Sequence, residues 1–167
     1  MNKVEVVILA GGNMGDTRII LEKALELARK GIGDFQLTSS LFKSDPWGFD
    51  SPQHFLNQVW VFQTQLSAAS CLQLLLDIER TLGRVREDGA GYSSRVIDLD
   101  ILYYGDQVIV SDSLLIPHPR IAERKFALMP LAEILPEMVH PILKKTNYSL
   151  LLNCTDSGNV QPYDEAG

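Results

Sequence analysis

Asp98 and Asp100 stand two residues apart in Val96-Ile97-Asp98-Leu99-Asp100-Ile101, an otherwise apolar run. On a strand, residues two apart point to one face, about 6.5–7 Å from each other along the backbone. The two carboxylates therefore project together while Ile97, Leu99 and Ile101 turn into a core. Ionised carboxylates held side by side repel unless a cation sits between them. Oxygen ligands of this kind suit Mg²⁺, which keeps several waters and shares the rest of its shell with substrate phosphates. Two such ions about 3.5–4 Å apart would serve a two-metal displacement. The plain alternative is a polar strand face turned to solvent, although such a face more naturally carries Thr or Lys than a bare acidic pair.

The basic residues gather nearby. Six of the eight arginines (Arg80, Arg84, Arg86, Arg95, Arg120 and Arg124) fall between residues 80 and 124 of a chain whose net charge is −6. A helix dipole accounts for one arginine at the end of a helix. It does not account for Arg86 and Arg95 bracketing a glycine-containing loop that ends three residues before Asp98. Guanidinium forks match phosphate oxygens, so arginines beside metal-binding carboxylates fit a polyphosphate. On a loop that can close over ATP they would neutralise charge and exclude water.

Other residues read two ways. His118, in Ile116-Pro117-His118-Pro119-Arg120, is either a structural hydrogen-bonding residue or a group held with Arg124 against a phosphate. Trp47, Phe55 and Phe126 are core aromatics or, with Asn57, the walls of a site for a flat heterocycle. Asn57 interrupts an apolar strand, and a buried amide needs partners. Gly11 to Gly15 lacks both the G-x-G-x-x-G spacing and the P-loop lysine, which leaves a tight turn before a helix.

These groups need a frame, and the chain has 167 residues to build one, about a single domain. At 46% apolar and 22% charged it can bury an ordinary core. No apolar run approaches the ~20 residues that span a bilayer, and the acidic, strand-like N-terminus does not read as a signal peptide. Cys71 and Cys154 are too few and too far apart for a disulfide framework or a metal cluster, so a reducing cytoplasm is expected. The acidic balance argues against broad binding to nucleic acid or anionic membrane.

Val4 to Ala10 reads as a buried strand, followed by a glycine loop and a helix capped by Asp16 or Thr17 and stopped at Gly31. Phe35 to Phe42 is β-like, Ser44 to Gly48 a loop, and His54 to Gln65 a long strand. Ser67 caps the most regular helix, which ends before Gly83. Residues 84 to 95 form a polar loop. Val96 to Tyr104 is a strand, Gly105-Asp106 a turn and Val108 to Val110 a short returning strand. The prolines stiffen residues 116 to 120, and Phe126 to Leu135 is helical. After about Asn147 the apolar signal fades and the tail is expected to be loosely packed. The order β-α-β-β-α-β with an added β-hairpin is that of an α+β ferredoxin-like sandwich, mainly antiparallel, with helices on one face and the other partly open for a ligand.

Three stretches in order carry a resemblance: Leu82-Gly83-Arg84-Val85-Arg86, then Ser94-Arg95-Val96-Ile97-Asp98-Leu99-Asp100-Ile101, then Ile116-Pro117-His118-Pro119-Arg120 with Phe126. Over about residues 4 to 140 the chain resembles the 6-hydroxymethyl-7,8-dihydropterin pyrophosphokinase family of folate biosynthesis. The resemblance implies pyrophosphoryl transfer from ATP to the pterin hydroxymethyl oxygen, with release of AMP. It implies that Asp98 and Asp100 hold two Mg²⁺ ions and form the catalytic set with Arg84 and Arg95. Arg84, Arg86, Arg95, His118 and Arg124 would contact the triphosphate, with Glu79, Tyr92 and Ile101 also on the nucleotide side. Phe55 and Phe126 would sandwich the pterin, Asn57 would bond its edge, and Ser44, Pro46 and Trp47 would line the pocket. The partners implied are these small molecules, with no nucleic acid or membrane, in a monomer or weak homodimer.

The sequence departs from that family pattern in places. Gly11-Gly12-Asn13 stands where Gly-Ser-Asn is usual, Tyr92 replaces a tryptophan, Phe55 a tyrosine, and Ser113 a residue that is basic in some members. Two other readings of the aspartate pair are a palm-type nucleotidyl transferase and a ferredoxin-like small-molecule-binding module. The first needs a basic nucleic-acid track that this chain lacks. The second makes Asp98 and Asp100 dispensable surface residues.

Overall fold

Val4–Gly12 forms β1, the strand around which the rest of the chain assembles in this computed structural model, which describes residues 2–13, 16–45, 54–83 and 96–163. It is followed by α1 (Thr17–Gly31), β2 (Asp34–Thr38), β3 (Phe42–Ser44), β4 (Phe55–Thr64), α2 (Ala68–Thr81) and β5 (Asp98–Tyr104). Then come β6 (Ile109–Val110), β7 (Leu115–Ile116), a 3₁₀ turn at Ile121–Glu123, α3 (Lys125–Ile134), α4 (Asn147–Leu152) and β8 (Val160–Pro162). Among the described residues, no helix is long and apolar enough to cross a membrane.

The helix starts are set locally. The Asp16 carboxylate accepts from the Ile19 amide, and the Ser67 hydroxyl accepts from the Ser70 amide at 3.1 Å. Each cap satisfies an amide that a first helical turn leaves without a partner. The β1 strand runs two residues further than its apolar run predicts. Gly11 and Gly12 are not a loop but pair with Asn57 and Leu56 of β4.

The main sheet has the order β5-β1-β4-β3-β8, antiparallel throughout, with β2 also paired to β4. Period-two alternation sends Val6, Ile8, Ala10, Trp60, Phe62, Leu99 and Ile101 to one face, where Leu21, Ala24 and Ala28 of α1 and Cys71, Leu75 and Ile78 of α2 cover them. The opposite face carries Val7, Leu9, Val59, Val61, Leu102 and Tyr103, packed against Ile121, Ala127, Leu128, Leu131 and Leu150. Burying each Val, Leu, Ile or Phe among them stabilises the fold by about 1.5–3 kcal/mol. A bulge sets Val7 opposite Tyr103 and Ile8 opposite Ile101, so both Leu102 and Tyr103 turn to the second face.

Two expectations change. Helices lie on both faces of the sheet, because α3 and α4 pack on the second face. The returning strand β6 does not pair with β5; it pairs with β7 in a separate two-stranded sheet. The segment after residue 147 is anchored at its start, while residues 151–163 are exposed or only partly buried. Asn147 is fully buried, accepts from the Tyr103 hydroxyl at 2.6 Å and donates to the Leu135 carbonyl at 2.9 Å, while β8 forms the sheet edge beyond β3. Composition hid this because the anchor is a polar residue whose partners are distant in sequence.

Candidate active site

The aspartate pair lies on β5, the edge strand. Asp98 and Asp100 are half-buried while Leu99 and Ile101 between and after them are buried in the core under α1 and α2. Both carboxylates thus turn to the second face, where Asp100 pairs with Leu9 and Asp98 with Gly11. Among the described residues no group of three or more His, Cys, Asp or Glu gathers as a metal cage. An oxygen-only pair of this kind could hold a hard divalent cation that takes its remaining ligands from water and substrate. Glu79, buried on α2, sits behind the strand, and its Oε2 accepts from the Leu99 amide at 2.7 Å.

One row crosses the sheet from that strand. Asp98 pairs with Gly11, Gly11 with Asn57, and Asn57 with Phe42. Asn57 is buried and donates through Nδ2 to the buried Ser44 hydroxyl at 3.1 Å. A Cβ on Gly11 would lie 2.3 Å from Asn57 Oδ1, so the glycine is what lets the amide lie across β1. Phe55 is half-buried and shares the parity of Asn57, which brings its ring to the same face. From above this face, the start of α3 contributes Arg124 and Phe126, the Arg124 guanidinium lying 5.5 Å from the Phe126 ring centroid.

His118 borders the opposite side of the aspartates. Its amide donates to the Leu102 carbonyl at 3.0 Å, which fixes the segment to the β5 edge, and the preceding Ile116–Pro117 peptide is cis. His118 Nδ1 accepts from the Arg120 amide at 3.2 Å, so the neutral ring carries its proton on Nε2. Burial, helped by the Arg124 charge and opposed by Asp98, lowers its pKa to about 4. An open cleft of about 310 Å³ lies here between Leu72 of α2, Leu99 to Ile101 of β5, the Ser111 to Leu115 turn, and His118 with Pro119. Ser111 closes that turn, its amide donating to the Leu114 carbonyl at 3.0 Å.

The structure therefore brings together Asp98, Asp100, His118, Arg124, Asn57, Ser44, Phe55 and Phe126 on one face, with Ile101 in the cleft wall and Glu79 behind β5. Pro46, Trp47, Arg84, Arg86, Tyr92 and Arg95 lie outside the described residues. Leu72 reads in sequence only as part of an amphipathic stripe, and nothing local marks it as a cleft wall. Gly11 is visible as a glycine, but its reason, the Asn57 side chain across it, is a long-range contact.

Residues 7–136 match the family described as 7,8-dihydro-6-hydroxymethylpterin-pyrophosphokinase (HPPK). The 2-amino-4-hydroxy-6-hydroxymethyldihydropteridine pyrophosphokinase of Porphyromonas gingivalis is 37% identical over 138 residues, covering 81% of this chain and 93% of that protein. The enzyme of the same name from Bacillus subtilis is 37% identical over 135 residues, 80% of this chain and 79% of its own. A solved Plasmodium falciparum HPPK-DHPS chain superposes with a TM-score of 0.75 at 17% identity, over 91% of this chain and 44% of that longer one. That likeness bears on the fold: a mixed arrangement of helices on an antiparallel sheet. Sequence match, identity and architecture agree, and the chain belongs to the 7,8-dihydro-6-hydroxymethylpterin-pyrophosphokinase family.

Proposed function

We propose that Asp98 and Asp100 anchor Mg²⁺ and ATP beside a pterin seated over Asn57, in an enzyme of known family activity. As a member of its family the chain is an ATP-dependent pyrophosphokinase, which transfers a pyrophosphoryl group from ATP to 6-hydroxymethyl-7,8-dihydropterin in folate synthesis. The observation that carries the residue assignment is the row Asp98, Gly11, Asn57. Two strand spacings separate its ends, about 9.5 Å. A flat acceptor bonded to Asn57 would thus end within reach of a phosphate held over Asp98.

The roles follow from chemistry. Phe55 and Phe126 offer rings on which a planar pterin can stack, and the Asn57 amide, braced by Ser44, offers an acceptor to its edge. The cleft beside Ile101 and Leu72 suits the nucleoside, so its phosphates would extend past His118 toward the aspartates. His118 would donate from Nε2 to a phosphate oxygen while remaining neutral. Arg124 adds a cation from the start of α3. A Mg²⁺ pair at the carboxylates would neutralise phosphate charge as it develops in transfer. No covalent nucleophile is required, because positioning and charge neutralisation account for most phosphoryl-transfer catalysis. The family resemblance gives Arg84, Arg86, Arg95 and Tyr92 further contacts with the triphosphate, and Pro46 and Trp47 contacts with the pterin.

The strand order supports a ferredoxin-like reading of the sheet, and hydrophobic clusters on both faces of it support one domain over residues 1–167. Free Cys71 and Cys154 and the acidic balance suit a cytoplasmic enzyme of small molecules, monomeric or weakly dimeric, without nucleic-acid or membrane partners. The deciding assay supplies ATP, Mg²⁺ and the hydroxymethyl pterin and follows AMP. Formation of ADP in its place, or no turnover by folded protein, would overturn the proposal.

A further inference from the structure

We propose that the C-terminal segment from Asp156 to Tyr163 is a positioning element for the pterin side of the site, and that Asp156 is its working residue. The proposal rests on the placement of the pterin argued above. The family match ends at residue 136, so this segment lies beyond it.

The position at the start of α3 poses a local problem. Arg124 occupies the N-cap, and its side chain makes no capping bond. An arginine has no acceptor to offer a helix amide, and its charge opposes the positive end of the helix dipole. Asp156 supplies what Arg124 lacks. Its Oδ2 accepts from the Lys125 amide at 3.1 Å, across 31 residues of sequence, and its Oδ1 accepts from the Gly158 amide at 2.8 Å. A remote carboxylate thus caps the helix and allows a cation at the very position where the site uses one. Lys125 lies between Arg124 and Phe126, so fixing its amide fixes where both side chains start.

The same segment grips the floor of the site. Val160 pairs with Ser44, the residue that holds Asn57, and the Asp45 amide donates to the Asn159 carbonyl at 3.3 Å. The Tyr163 amide donates to the Leu41 carbonyl at 2.9 Å. One stretch of chain therefore ties the ring above the pterin position to the strand below it. The bonds named here run to Lys125, Asp45, Leu41 and β3, and none of them to the cleft at Leu72, Ile101 and the Ser111 to Leu115 turn. A Cβ on Gly158 would meet Asp156 Oδ1 at 3.0 Å, which offers a second way to disturb the carboxylate.

The test compares Asp156→Ala, Asp156→Asn and Gly158→Ala in the full chain, with affinities for the hydroxymethyl pterin and for AMP measured separately. Asp156→Ala is expected to weaken pterin binding five- to tenfold and to leave AMP, which lacks the outer phosphates that Arg124 would contact, within twofold. Asp156→Asn, which keeps an acceptor oxygen, should recover most of that loss, and Gly158→Ala should show a smaller loss of the same kind. Equal losses for both ligands, or none for either, would overturn the proposal. If Asp156→Ala does not fold, the same split in the other two variants decides. Failure of the pterin placement itself is told apart by hydrogen exchange: the Lys125 amide should exchange faster in Asp156→Ala without any ligand present, and unchanged exchange would refute the capping role.

Discussion

The carboxylate of Glu79 takes the amide of Leu99, the residue between the two aspartates, at 2.7 Å inside the protein. Among the described residues β5 is an edge strand, with one side that pairs with no other strand. Glu79 supplies an acceptor there and so holds the strand in the register that turns both aspartates the same way. Asp98 and Asp100 would carry chemistry, and Glu79 would position them. Glu79→Ala leaves the Leu99 amide buried without this partner, at a cost of about 1–3 kcal/mol. Urea denaturation should show that loss, and Glu79→Gln, which keeps an acceptor oxygen, should recover at least half of it. A Glu79→Ala protein as stable as the parent would refute the bracing role.

Asp98→Asn and Asp100→Asn test the metal assignment. Each removes a charge but keeps the size of the side chain and a hydrogen-bonding oxygen, so the metal-free protein should still fold. Turnover should fall by about two to three powers of ten, the usual cost of losing one charge-stabilising group. Chelation should abolish activity in the parent enzyme, and added Mg²⁺ should restore it. Retained Mg²⁺-dependent nucleotide binding in either variant would count against the pair as the metal anchor.

The ease of reading β5 and the difficulty of reading the tail have one physical origin. Alternation has a period of two, so Asp98, Leu99 and Asp100 reveal their faces within three residues. Caps at Asp16 and Ser67 are equally local. The Asp156 cap on Lys125, the Asn147 bond to Tyr103 and the Glu79 bond to Leu99 join residues 20 or more apart. Such bonds leave no spacing pattern. The second layer of helices was legible only in part: α3 shows in the sequence, whereas α4 is six residues long, and its buried Asn147 and Leu150 make too short a pattern to read. Gly11 and Gly12 resembled a turn because glycine is common in turns, whereas here Gly11 gives room to Asn57.

Gly11→Ala is therefore a probe of the pterin floor. Its methyl group would stand 2.3 Å from Asn57 Oδ1 and 3.2 Å from the Leu56 carbonyl oxygen. Asn57 must swing away and give up its bond to Ser44. Overpacking of this kind costs about 1–3 kcal/mol, and denaturation should show it. Pterin affinity should fall at least tenfold while AMP binding, which depends on the cleft at β5, stays within twofold. Unchanged pterin affinity would mean that Asn57 does not touch the acceptor.

His118 gives the metal-free protein a dependence on pH. Its folded pKa of about 4 lies below the ordinary histidine value, about 6.5, chiefly because burial disfavours the charged ring. As pH falls through this window the unfolded chain takes up the proton first, which favours unfolding. The contribution is complete above pH ~6.5, declines toward pH ~4 and changes no further below that. His140, lowered by burial as well, acts in the same direction. Urea unfolding from pH 7.5 to 4.5 should therefore show stability falling with acid. His118→Gln, which retains an acceptor for the Arg120 amide, should reduce that slope by as much as one proton. A slope identical to the parent's would show that His118 is not held neutral by the fold, and would remove the basis for treating it as a fixed Nε2–H donor to phosphate.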